Sequence, residues 1–301
     1  MVFLFTVVTS PFVVLFGPFN NVKRAVIGAI LQSRHPHYIT WLFNEDELQS
    51  ILGTVGVVKS QDLFKFNARE DKTLNLEKIQ SARYVGYILE IPDPRRIQVG
   101  TAANIQEKGD TTSNIAKMNN AVAAINGGGF HDPNGTGTGR LPYGFILHEG
   151  DYIIGKDVGP DESVDFVGFS KSGNLIAGNY DKTELADMKA MEGITFGPPL
   201  IVDGKKMITD GDGGWGVGPR TAIGQRKDGT VLFVVIDGRQ PGYSLGATLR
   251  DVQDVLYEKG AYIAANLDGG SSSTLYLNGK VVNKPADLLG ERMIPTAFIV
   301  K

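Results

Sequence analysis

Residues 261–278 read AYIAANLDGGSSSTLYLN, and the fold turns on this stretch. The run from Tyr262 to Leu267 is mostly apolar and too short for an independent helix, so it predicts a buried strand. Asp268, Gly269 and Gly270 follow, and paired glycines let backbone amides approach a ligand without interference from a Cβ. Ser271, Ser272, Ser273 and Thr274 add hydroxyls before Leu275, Tyr276 and Leu277 resume an extended pattern. Asn278-Gly279 then signals a tight hairpin turn. A carboxylate at a strand end, beside exposed amides and hydroxyls, suits a polyoxygenated, anionic ligand. A tight turn that merely uses Gly and Ser is the competing reading.

Upstream, residues 244–260 predict a helix that feeds this strand. Thr248 with Asp251 forms a capping pattern, Leu249, Val252, Val255 and Leu256 form a buried face, and Gly260 ends it. Before that helix, DGDGGWGVG at 210–218 runs into Pro219, Arg220 and Thr221. A strand over 221–224 turns at Asp228-Gly229 into VLFVVI at 231–236, apolar throughout as for a strand covered on both faces. Asp237, Gly238 and Arg239 lie at its exit. Arg220 is the candidate for phosphate because guanidinium offers a planar fork of donors; a structural ion pair is the alternative. Trp215 among its glycines suits either a sugar face or a loop anchor.

The spacing also predicts a helix over 111–126, capped near Thr111, Thr112 or Ser113, with Ile115, Met118, Val122 and Ile125 as its stripe. It leads into Asn126, Gly127, Gly128 and Gly129, whose side chain and amides are placed in a polar pocket, and then to a turn at 131–135. His131 in that turn is either an acid or base or a surface group. Other elements are a short capped helix over 44–52, apolar alternations over 54–71 and an exposed connection over 74–81. A strand over 84–91 is given 95–101 as its hairpin partner. Strands flank Glu149-Gly150, hairpins cover 164–176 and Asp203-Gly204, and 185–191 is helical. Glu149, Glu162, Glu184 and Glu192 are possible acids that the string does not rank. The whole pattern indicates an α+β fold: a large mixed, partly antiparallel sheet, two or more packed helices, and Gly-rich active-site loops.

Composition narrows the function. The chain has 301 residues, a formal net charge of −3 and no basic block, so nucleic-acid binding has no electrostatic footprint. The absence of cysteine excludes disulfides, thiol catalysis and Cys-bound zinc, and is compatible with an oxidising compartment. The 38 glycines are nearly twice the usual share and are not repetitive, which signals tight turns and close backbone contacts. The four histidines show no metal-binding spacing, and the glycine loops match neither the P-loop nor the Rossmann string. Asp-rich loops such as 210–213 offer oxygen ligands to a divalent cation such as Ca²⁺, though without EF-hand spacing. Residues 2–19 carry no charge and approach the length of a membrane span, followed by Lys23, Arg24 and Arg34. Residues 1–44 are therefore read as a signal or membrane anchor with a linker, and 45–301 as one catalytic domain at the cell surface or outside the cell.

The strings AAINGGGF, GPPLIVDGK, GPRTAIG, VVIDGRQ, GATLRDVQDVL and NLDGGSSST, in that order, resemble the phosphodiester glycosidase family. The resemblance runs from about residue 84 to 301. It implies hydrolysis of a sugar-1-phosphodiester, such as an N-acetylglucosamine-1-phospho-linked glycan or envelope polymer, to free sugar and a phosphate monoester. Such a substrate carries its own leaving group, because a phosphate monoester is a stable anion near neutrality. The site must then stabilise the phosphate and supply a carboxylate toward the sugar. Arg220, with Thr221 and the turn Gly269, Gly270, Ser271 and Ser272, is assigned the phosphate, and Arg239 is counted among the substrate-binding residues. Asp268 or Asp237 is assigned the sugar side, as base or nucleophile, Asn126 the sugar hydroxyls or the N-acetyl group, and Gly127 and Gly128 are counted among the substrate-binding residues. The alternatives are a non-catalytic module that binds phosphorylated polysaccharide through the same arginine and amides, and a structural component of an exopolysaccharide assembly whose main functional part is the N-terminal apolar segment.

Overall fold

The apolar run at 231–236 is explained by what lies on either side of it. Val231, Phe233 and Val235 enter a central core, while Leu232, Val234 and Ile236 pack with the helix Leu249–Glu258. With both faces covered, no position on the strand is left for a polar side chain. The computed structural model describes residues 2–31, 37–52, 58–60, 63–67, 69–132 and 137–301. Parts of the 54–71 stretch and of the turn at 131–135 lie outside the described residues.

The strands, in chain order, begin with β1 Asn75–Gln80, β2 Val85–Ile91, β3 Ile97–Thr101, β4 Ala123–Asn126, β5 Ile146–His148 and β6 Asp151–Ile154. They continue with β7 Val164–Ser170, β8 Leu175–Tyr180, β9 Ala190–Thr195, β10 Pro199–Val202 and β11 Lys205–Lys206. The last are β12 Arg220–Arg226, β13 Val231–Ile236, β14 Ala261–Leu267, β15 Leu275–Leu277, β16 Lys280–Val281 and β17 Thr296–Val300. The helices are α1 Val2–Phe16, α2 Asn20–Leu31, α3 His37–Thr40, α4 Glu45–Leu52, α5 Thr112–Met118, α6 Lys182–Asp187 and α7 Leu249–Glu258. The α+β class holds. The strands divide among three sheets rather than one mixed sheet, ordered β1-β2-β13-β12-β14-β10-β11, β16-β15-β4-β17-β3 and β6-β5-β9-β7-β8. Their pairings are antiparallel.

All three sheets turn one face toward the same core, where Leu89, Phe233 and Ile263 of the first meet Ile125 and Phe298 of the second and Val167 of the third. The outer faces are covered separately. α7 covers the first sheet, α5 packs with Ala124, Ala297 and Ile299 of the second, and Leu185 of α6 joins Phe145 and Phe166 of the third.

Several elements differ from the sequence expectation. The helix over 111–126 stops at Met118, because Asn120 takes a left-handed φ of 51° and the following AAIN becomes β4. The glycine loop after Asn126 therefore follows a strand, as the one after Leu267 does. Strand β3 is not the hairpin partner of β2: Asp93 accepts from Arg95 N in a 3-10 turn at Pro94–Arg96, and the chain passes to β17 in another sheet. The exposed 74–81 connection is the edge strand β1, whose polar composition hid it. The helical reading of 185–191 shifts to α6, capped by Asp181, and its second half joins β9.

At the N-terminus α1 is 15 residues long, about 22 Å, and contains Pro11. Among the described residues no helix is long and apolar enough to cross a membrane. α2 and α4 lie against the glycine loop at 211–216. A Cβ on Gly28 would sit 2.4 Å from the carbonyl oxygen of Gly214, and one on Gly216 2.5 Å from that of Ala25. Arg24 Nε donates to Ile51 O at 2.8 Å and ties α2 to α4.

Phe298, fully buried where the sheets meet, tests this packing. Phe298→Ala should lower unfolding free energy by about 3–5 kcal/mol in urea titrations, with the midpoint falling and the slope kept.

Candidate active site

One end of the first sheet gathers the chemistry. Register pairs Arg220 with Ile236, Thr221 with Leu267 and Pro199 with Ala265. Asp237, Arg220 and Asp268 therefore stand at one end of the sheet, with Pro198 next to Asn266, two residues before Asp268. The second sheet delivers Asn126 to the same place, since Asp268 N donates to Gly127 O at 3.0 Å. Arg220 and Asp268 are thus neighbours along the sheet end.

Asn126 is fully buried and holds the site together rather than facing a ligand. Its Nδ2 donates to Asp268 O at 2.5 Å, and its Oδ1 accepts from Thr221 Oγ1 at 2.7 Å and from Thr274 N at 3.1 Å. The expected contacts of Asn126 with the sugar and of Thr221 with the phosphate give way to this clamp because their polar atoms are already paired. The Gly127 and Gly128 amides are also occupied, donating to the carbonyl oxygen and to Oγ1 of Thr296. Thr296, buried on β17, was invisible to motif reading.

Arg220 is corrected in the same way. Its Nε donates to Ala247 O at 3.0 Å, and its Nη2 donates to Trp215 O at 2.8 Å and Gly216 O at 2.6 Å. Burial, then the nearby Arg239 charge, lowers its pKa to about 10, which leaves it protonated at neutral pH. Arg220 therefore anchors the Trp215 loop and the lead into α7, with only Nη1 turned toward the Gly269 turn. Asp237 is likewise enclosed: Asn283 Nδ2 and Lys284 N donate to Oδ1, and Tyr243 Oη donates to Oδ2. Burial raises its pKa, but three donors leave this carboxylate holding loops rather than attacking a sugar.

Asp268 is half-buried, and its carboxylate feels the charges of Arg292 and Arg239. Burial lifts its pKa to about 6, against the downward pull of the Ser272 hydroxyl, Arg292, the Gly269 amide and Arg239. The Ser272 hydroxyl is itself buried and closes no hydrogen bond of normal geometry, so its influence is that of a nearby dipole. Exposed Arg239 has a left-handed φ of 58°, and its guanidinium lies 3.3 Å from where a Cβ on Gly270 would stand. Arg292 approaches from the other flank, donating to Asp132 Oδ2 at 2.8 Å and lying 4.8 Å from the Phe130 ring centre. No motif in the string singled out Arg292.

On the β10 side of Asp268 lies a cavity of about 510 Å³, within the range of small-ligand clefts. Tyr143, Phe196 and Trp215 line it with Asp165 and Thr195. Phe196 and Trp215 meet edge to face at 6.0 Å, and His131 packs edge-on against Tyr143 at 4.5 Å. Burial first, and the Asp268 charge second, raise the Tyr143 pKa. Asp165, an exposed residue on β7, was not among the expected acids. Those acids serve elsewhere: Glu192 accepts from Val99 N and Glu149 N, and Glu184 completes the α6 cap. Asp210 and Asp212 share a smaller cavity with Arg24 and Arg250. Among the described residues no three His, Cys, Asp or Glu side chains gather as a metal cluster.

Two outcomes follow from this geometry. Asn126→Ala should cost about 1–3 kcal/mol for each buried group it leaves unpaired, read by urea unfolding. The Asp268 pKa is raised above its ordinary 3.8, so protonation favours the fold; this contribution is complete below 3.8 and lost as pH rises through about 6. Asp268→Asn should therefore melt above the unsubstituted protein at pH 8, and the two should converge near pH 4 in calorimetry.

The sequence pattern of the Phosphodiester glycosidase family matches residues 119–301. The SPbeta prophage-derived uncharacterized protein YomE of Bacillus subtilis (strain 168) is 30% identical over 236 residues, 76% of this chain and 35% of that protein. The Bos taurus N-acetylglucosamine-1-phosphodiester alpha-N-acetylglucosaminidase is 23% identical over 233 residues, 69% of this chain and 42% of its own. The chain thus spans well under half the length of these curated relatives. Among solved structures, the zebrafish N-acetylglucosamine-1-phosphodiester alpha-N-acetylglucosaminidase catalytic domain, auto-inhibited by pro-peptide, shares the fold. Its TM-score is 0.65 at 22% identity, covering 81% of this chain and 89% of that one. Because the matched pattern takes in Asn126, Arg220, Arg239, Asp268 and Arg292 together and runs through more than half of the sequence, the chain belongs to the phosphodiester glycosidase family.

Proposed function

We propose that this protein hydrolyses the glycosidic bond of a sugar-1-phosphodiester, with N-acetylglucosamine as the sugar, in a glycan or cell-envelope polymer. The observation that carries the reading is the position of Asp268, beside a glycine turn that Arg239 approaches and close enough to the cavity residue Tyr143 to raise its pKa. Arg239 and the Ser271 hydroxyl, with Arg292 opposite, suit the phosphate; the Tyr143, Phe196 and Trp215 side suits a sugar ring. Asp165 offers an acceptor for sugar hydroxyls. The assignment of phosphate thus moves from Arg220 to Arg239, while Arg220 holds the loop that presents Trp215.

In the reaction, the bond between the anomeric carbon and the phosphate oxygen breaks, and its electron pair leaves with the phosphate. Water supplies hydroxyl to the anomeric carbon, and its other proton goes to Asp268 or to bulk solvent. With a pKa of about 6, Asp268 is mostly ionised at neutral pH and is suited to act as base or nucleophile rather than as a standing acid. The developing positive charge on the sugar is stabilised by this carboxylate, and the departing anion by the guanidiniums. On the same reading the protein works at the cell surface or outside the cell. There the exposed Phe12, Val13 and Phe16 of α1 rest at the membrane boundary.

Incubation with a panel of sugar-1-phosphodiesters, followed by NMR of the free sugar and its anomer, tests the proposal. Asp268→Asn should lower kcat/KM at least ~100-fold, while Arg239→Ala should weaken substrates through the phosphate. The kcat/KM profile should climb with pH to about 6 and level above it. Binding of the phosphodiester without release of sugar would instead mark a non-catalytic polysaccharide module.

A further inference from the structure

The cavity beside Asp268 is not made by the family-matched segment alone. Leu31 at the end of α2 and Leu52 at the end of α4 line it together with the aromatic residues, and both lie outside residues 119–301. Their placement is built rather than incidental. Ile27 is fully buried, Gly28 meets Gly214 with no room for a side chain, and a Cβ on Gly214 would be 3.3 Å from Leu52 Cβ. The loop they rest on is the one that Arg220 pins from beneath through Trp215 O and Gly216 O. The glycine loop is therefore held between a buried guanidinium and two N-terminal helices, and the cavity lining includes two leucines as well as aromatic residues.

We infer that α2 and α4 are part of the substrate site, and that Leu31 and Leu52 form the wall that accepts the apolar N-acyl group of the sugar. This deepens the proposed function and rests on it for the identity of the sugar. An acyl methyl set against two leucines is removed from water, whereas a hydroxyl in the same place loses hydrogen bonds without replacing them. The wall thus favours an N-acylated sugar over its unsubstituted counterpart, and its width limits the length of the acyl chain. An apolar slot of this kind discriminates single methylenes by roughly 10–200-fold.

The test uses the full chain with Leu31→Ala, Leu52→Ala and Leu52→Trp, each confirmed folded by circular dichroism. Steady-state kinetics compare α-linked phosphodiesters of N-acetylglucosamine, N-butyrylglucosamine and glucose. The alanine variants should lose about 10-fold of the preference for N-acetylglucosamine over glucose and gain relative activity on the N-butyryl substrate. Leu52→Trp should depress both N-acyl substrates more than glucose. Saturation-transfer NMR with free N-acetylglucosamine and glucose reads the same preference without turnover. Absence of hydrolysis with the binding preference intact would sink the reaction and leave the wall standing. Unchanged preference ratios in all three variants would overturn the wall. So would an equal rise in kcat/KM for every substrate in the alanine variants, since the helices would then obstruct the site rather than shape it.

Discussion

The amide of Asn126 is the joint on which the site depends. One side chain, at the end of β4, reaches the main chain beyond β14, the hydroxyl at the start of β12 and the amide leading into β15. These partners belong to two different sheets, which also meet through the Asp268 N to Gly127 O bond and through apolar side chains that fix distance but not register. In a buried setting each of the three bonds replaces one to water that folding removed, so a small shift between the sheets would orphan several groups at once. The carboxylate of Asp268 is therefore positioned through its own backbone. Its side chain is left for chemistry.

Two opposing effects act on that carboxylate, and their magnitudes decide its character. Burial favours the neutral form, while two guanidiniums, an amide and a hydroxyl favour the charged one. Burial prevails, so the group titrates close to neutrality instead of deep in the acid range. Its raised pKa also makes Asp268 a liability to folding above pH 6, the usual relation between a functional charge and the stability it opposes.

Much of this could be read from the string, and what could not has a physical reason. Hairpin turns at Asp203-Gly204, Asp228-Gly229 and Asn278-Gly279, and the Thr248 cap of α7, depend on local backbone chemistry and stand where they were expected. The end of α5 was missed because AVAAIN is apolar at every spacing, and only its pairing with β17 and β15 makes it a strand. β3 was assigned to the nearest strand because sequence proximity is the default, yet a capped turn at Asp93 sends it to another sheet. At the site, the strand-end residues were legible while their duties were not. A motif displays Asn126, Thr221 and Arg220, but whether a polar atom faces a ligand or a carbonyl depends on distant residues such as Ala247 and Thr296. Arg292, Asp165, Leu31 and Leu52 carry no motif, and only the fold brings them near Asp268.

The three arginines show how one residue type is divided among tasks. Arg220 lies deepest and satisfies its fork with backbone oxygens, because a buried guanidinium facing an empty pocket would remain unpaired whenever no ligand was present. Arg292 is partly covered and shares its charge with Asp132 and the Phe130 ring, which fixes its direction while its field still reaches Asp268. Arg239 is the exposed one, set on a left-handed residue at the exit of β13, where solvent can hydrate it between encounters. A phosphate anion arriving at the glycine turn meets this exposed charge with less desolvation than the buried Arg220 would have required. The deepest arginine therefore builds the loop, and the exposed one is the better suited to meet the ligand.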